Sequence, residues 1–97
     1  MTLRVGTLNL LHGRSLADRR VDADRLRAVA RDLDVDVLAL QEVDRDQPRS
    51  HHLDLTALVA DGLGAAHWRF QPALVGTPGS AWRPADEGDA TAAPAAG

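Results

Sequence analysis

The sequence predicts an α/β domain in the order strand–helix–strand–helix–strand, with the first two strands paired in parallel. Three observations carry that prediction. Two short apolar runs, "LRVGTLN" at 3–9 and "VDVLALQEV" at 35–43, read as strands. The stretch between them repeats its apolar residues at helical period, and a helical crossover suits parallel pairing. A second helical stretch and a third alternating run then follow.

The first strand holds β-favouring Val5 and Thr7 and ends near Asn9, the only asparagine in the chain. "LLHGRSLADRR" is a polar, glycine-containing loop. From Asp22 the period changes: Leu26, Val29, Ala30 and Leu33 fall at i, i+3, i+4 and i+7, one apolar helix face. Asp22 and Asp24 stand at its start, where an acceptor and negative charge are favourable. The run 35–43 is apolar for most of its length, as expected of a strand covered on both faces. It ends in Gln41-Glu42, and "DRDQPRS" reads as a polar loop closed by Pro48. A second helix is expected from about His51 to Gly62, with Leu55, Leu58 and Val59 inward and Gly62 and Gly64 as stop signals. "AHWRFQPALV" at 66–75 is expected to form the third strand, with Pro72 limiting its pairing. These elements make a domain of residues 1–83. The tail "PADEGDATAAPAAG", 84–97, has no large apolar residue and is expected to be disordered.

Composition narrows the chemistry. Ninety-seven residues allow one small domain with a modest core. The net charge of −3 gives no global basic field for holding nucleic acid, so phosphate chemistry needs a metal or a local arginine cluster. Without cysteine there are no disulfides or thiolate zinc sites. All eleven basic residues are arginine, which excludes a lysine-bearing phosphate loop and any lysine nucleophile. No apolar run approaches the roughly 18 residues of a membrane span and no secretory leader is visible, so the expected location is the cytoplasm.

Parallel pairing puts the carboxyl ends of strands one and two side by side, where α/β sheets place their ligand crevice. An amide, Asn9, and a carboxylate, Glu42, would meet there. A carboxylate ending an apolar strand is costly to bury unless paired or holding a cation. Magnesium suits such a place, since one or two carboxylates, waters and phosphate oxygens commonly hold it. The plainer readings are that Glu42 marks where the strand leaves the core and that Asn9 is a turn residue. His12 could donate to a phosphate, Arg45 could clamp one as a bidentate donor, and Asp44 could orient a metal ligand. The plainer reading of each, a solvated loop residue, comes first. His51-His52 would not share a helix face, which argues against a metal pair. "HWRF" at 67–70 reads as core packing before it reads as an aromatic platform.

Two stretches, "LRVGTLNLLHGRS" and "DVDVLALQEVDR", together resemble the opening of the endonuclease/exonuclease/phosphatase superfamily, whose fold is deoxyribonuclease I-like. "GTPGSAWRP" at 76–84 is similar to a connecting loop of bacterial members. The resemblance implies that the chain is the N-terminal part of a four-layer αββα sandwich. It also implies that Glu42 is a ligand of catalytic magnesium, or manganese in its place, with Asn9 beside it binding metal and scissile phosphate. The implied reaction is hydrolysis of a phosphodiester or phosphomonoester.

One departure matters. The family's later Asp-x-Asn pair and final Ser-Asp-His, which hold the transition state and activate the water, are not in this sequence. No histidine here matches the catalytic one, so no general base is assigned. The expectation is therefore an incomplete, inactive portion of such an enzyme. Two other readings stand beside it: a non-catalytic α/β domain that binds a partner or a complementing C-terminal half, and an unrelated small domain whose Asn9 and Glu42 merely end strands.

Overall fold

The computed structural model describes residues 2–97. Strand β1 (Val5–Asn9) runs into helix α1 (Ala23–Leu33), and β2 (Val37–Gln41) then pairs with β1 in parallel, Val5 opposite Val37 and Asn9 opposite Gln41. A short β3 (Asp44–Arg45) and helix α2 (Leu55–Leu63) follow. The chain closes with β4 (Leu74–Gly76), β5 (Trp82–Pro84) and β6 (Ala95–Ala96). Two sheets result: parallel β1–β2, and an antiparallel sheet in the order β3–β6–β4–β5. This mixed α/β arrangement is compatible with part of the expected sandwich.

Both helices start on the residues that their chemistry favours. The Asp22 side chain accepts from the Arg25 amide and the Asp54 side chain from the Ala57 amide. The core lies where they meet the sheet, built on Leu10, Ala30, Val43, Leu55, Leu58 and Val59, with Leu8, Leu26, Leu38, Leu40 and Phe70 packed around it. Leu55, Leu58 and Val59 face inward as their spacing predicts; Val29 sits at the edge of its stripe and stays exposed. The helices approach closely at Gly62. A Cβ there would lie 2.3 Å from the Arg27 carbonyl oxygen, so Gly62 is a contact glycine inside α2 rather than its stop signal. Gly64, left-handed at φ 75°, ends the helix by donating to the Ala60 and Asp61 carbonyls.

Several expectations are corrected. The second helix begins at Leu55 rather than His51, because Asp54 is its cap and His51 and His52 both take positive φ in the preceding turn. Strand β2 is covered on one face only: Leu38 and Leu40 pack on the helices while Val5 (65% exposed) and Val37 (50%) face outward. The polar loop 44–50 contains β3 and a 3₁₀ turn, Pro48–Ser50. Of the expected third strand only its end pairs, as β4, since Pro72 has no amide to give a ladder. The tail 84–97 is built into the sheet. Ala95 and Ala96 are buried between β3 and β4, and small side chains suffice because the ladder and polar anchors, not apolar bulk, hold them.

Candidate active site

The carboxyl ends of β1 and β2 are sewn together beyond their last pair. Leu10 N–H donates to the Gln41 carbonyl (2.9 Å) and His12 N–H to the Glu42 carbonyl (3.0 Å). Asn9 makes the first turn: its Oδ1 accepts from Leu11 N–H at 3.0 Å, and Leu11 and His12 then adopt positive φ. The turn reading of Asn9 is thus realised in its Oδ1, while its exposed side chain still stands at the strand end opposite Gln41.

Glu42 has φ 54°, a left-handed conformation uncommon for a glutamate and frequent at functional sites. It is held there from both sides. The His12 amide binds its carbonyl, and its neighbour Val43 exchanges two 2.7 Å hydrogen bonds with Gly97. The carboxylate is left 42% exposed, 4.0 Å from His12 Nε2. The other ring nitrogen, Nδ1, lies 3.3 Å from Asp44 Oδ1 but is buried without a well-aligned hydrogen bond. The imidazole therefore stands between the Glu42 and Asp44 carboxylates.

Asp44 is fully buried. Arg49 Nε and Nη2 each donate to it at 2.8 Å and Ser50 Oγ at 2.9 Å. Burial alone would push this carboxyl up. The Arg49 and Ser50 hydrogen bonds and the nearby Arg49 and His12 charges outweigh it, holding Asp44 below its ordinary value and ionised. Arg49 and Ser50 escaped sequence reading: five and six residues after Asp44, beyond Pro48, they look like loop polarity. Gln47 escaped too; its Nε2 donates to the Gly76 carbonyl at 2.7 Å.

Arg45 is placed elsewhere. Alternation along β3 turns it away from Asp44, and its guanidinium donates to the Ala90 (2.8 Å) and Ala92 carbonyls while lying 4.5 Å over the Phe70 ring. It anchors the C-terminal segment, and those bonds occupy the fork that phosphate clamping would need. His52 Nδ1 meets Asp46 Oδ1 at 2.9 Å in a surface turn. In "HWRF", Phe70 packs on the core, whereas Trp68 is 48% exposed and, with His67, borders a cavity of about 380 Å³ beside β2.

Among the described residues no three histidine, aspartate or glutamate side chains are grouped to cage a metal. The donors at the strand ends are one carboxylate, Glu42, and two amides, Asn9 and Gln41, of which Gln41 is hydrogen-bonded to the Thr7 hydroxyl. That set fits magnesium, or manganese, held largely by water and phosphate oxygens, and does not fit an all-protein zinc or calcium site. Glu42 opens onto a surface cleft of about 470 Å³ that His12, Arg14, Ser15, Arg19 and Arg49 also border. Among the described residues, no helix is long and apolar enough to cross a membrane.

Compared with known proteins, residues 6–92 match a family model described as Endonuclease/Exonuclease/phosphatase family. Searches of curated proteins and of solved structures give no significant match.

Proposed function

This chain belongs to the endonuclease/exonuclease/phosphatase family, whose substrates are phosphate esters, and we propose that it supplies the metal- and phosphate-binding part of such a hydrolase. The carrying observation is Glu42: a carboxylate held in left-handed backbone at the adjoining ends of two parallel strands, opening onto a basic cleft. Glu42 would be the principal ligand of magnesium, or manganese, and Asn9 its companion. A bound divalent ion would supply Lewis-acid polarisation of a phosphate oxygen. Asp44, ionised and gripped by Arg49, fixes the floor beneath His12, and the His12 imidazole faces Glu42. A general base is not assigned to any residue here, since neither Asp-x-Asn nor Ser-Asp-His occurs in the sequence. The chain alone is therefore inactive, and a complementing C-terminal half completes it.

The test is hydrolysis of a chromogenic phosphodiester and phosphomonoester with magnesium. This chain is assayed alone and mixed with the C-terminal half of a full-length family member that carries both motifs. The expected result is turnover only in the mixture, abolished by Glu42→Gln. Turnover unaffected by that variant would contradict the proposal. One observation favours a second reading, a non-catalytic partner-binding domain: the outward face of β1–β2, with Val5, Thr7, Val37 and Ala39, is uncovered. Binding of the added half without turnover would favour it.

A further inference from the structure

We propose that Arg14 and Arg19 form a recognition site for a second, non-scissile phosphate, making small substrates that carry two phosphate groups the preferred class. The inference rests on Glu42 marking the reacting end of the cleft. Three arginines border that cleft, Arg14, Arg19 and Arg49, against a single acidic residue, Glu42. Arg49 is committed to Asp44. Arg14 and Arg19 are uncommitted: among the described residues neither side chain has an ion-pair or hydrogen-bond partner, a state shared by Arg20, Arg31 and Arg69 outside the cleft, while Arg25, Arg27, Arg49 and Arg83 are paired with aspartates. In a chain of net charge −3, two unpaired arginines beside one carboxylate are a local surplus that suits an anion.

The backbone presenting them is constrained. Arg14 bridges to Val21, Ser15 N–H donates to the Arg20 carbonyl at 3.0 Å, and Arg19 N–H donates to the Ser15 carbonyl at 2.8 Å. Asp18 ties the loop to α1: the Arg25 guanidinium donates to both its oxygens, at 3.0 and 2.9 Å. At the loop's base Gly13, φ 82°, packs so closely that a Cβ would meet Leu55 and Val21 at 3.3 Å. The arginines thus project from an anchored loop, which lowers the ordering cost of gripping a phosphate. A cleft of about 470 Å³ matches a small ligand, and the acidic chain offers no extended basic track for a nucleic-acid backbone.

The test is calorimetric titration of the intact chain with pyrophosphate and with orthophosphate, in EDTA so that no metal contributes. Pyrophosphate is expected to bind at least about tenfold tighter than orthophosphate, and Arg14→Ala and Arg19→Ala each to cost about tenfold. Arg20→Ala, an exposed arginine outside the cleft, should change nothing and serves as the control. Equal binding of the two anions, or pyrophosphate binding indifferent to Arg14 and Arg19, would overturn the inference. So would tight, Arg14- and Arg19-dependent binding of a 12-nucleotide single-stranded DNA with none of pyrophosphate, which would point to nucleic acid. Thermal melting of each variant separates lost binding from lost folding. Because no metal is present, failure here leaves the magnesium reading of Glu42 standing; failure of that reading would leave the anion binding measurable but remove its assignment as non-scissile.

Discussion

The β1–α1–β2–α2 unit buries leucines and valines, whereas the β3–β6–β4–β5 sheet buries alanines and is tied down by polar groups. In the first, ordering is driven by apolar area removed from water. In the second, the Arg45 guanidinium on two carbonyls, the Arg83–Asp89 pair at 2.7 Å and the backbone ladder take over that role. The candidate site lies at the junction, since Glu42 is the residue between β2 and the segment that pairs with the C-terminal strand. Asp44 and Arg45 show the junction in miniature: adjacent in sequence, one supports the site and the other the tail.

The largest expected effect breaks the apolar side of the comparison. Leu55, the first residue of α2, is fully buried, and Leu55→Ala should cost about 4 kcal/mol in urea unfolding. Asp44→Ala comes next, at about 3 kcal/mol. It would strand the Arg49 charge, but Arg49 is partly exposed and recovers some hydration, which keeps the loss at the low end for a buried pair. Arg45→Ala should cost about 1–2 kcal/mol, and its signature is local. Limited proteolysis should cut within 85–97 while the amides of α2 keep their hydrogen-exchange protection; global unfolding instead would show that the two regions are one cooperative unit.

The smallest effect is in acid. Arg83 holds the Asp89 carboxyl down at about 2, from an ordinary 3.8, and Asp44 is also held below its ordinary value. A carboxyl depressed in the folded state stabilises it above the unfolded value and loses that contribution as pH falls through the folded one. Stability should therefore hold to about pH 4 and fall between about pH 4 and pH 2. Arg83→Ala, which returns Asp89 toward 3.8, should flatten that fall in urea midpoints measured across the window. An unchanged acid slope would mean the Arg83–Asp89 pair does not form in solution.

The same contrast explains what could be read from the sequence. The helix stripes, the parallel pair and the strand-end positions of Asn9 and Glu42 follow from periodicity, which reports burial of large apolar side chains. The tail is invisible to that logic: Ala95 and Ala96 carry almost no apolar signal, and Arg45 and Asp89 announce no partner. Gly62 looked like punctuation because a close helix contact and a stop signal call for the same residue. The left-handed backbone of Glu42 and the Arg49–Ser50 grip on Asp44 have no local sequence signature. They arise from contacts between segments.

The most direct measurement is a manganese titration followed by water-proton relaxation, comparing this chain with its Glu42→Gln variant. The account predicts saturable binding that weakens about tenfold or more in the variant, with its melting temperature unchanged. Equal binding in the two, or none in either, would contradict Glu42 as the metal ligand.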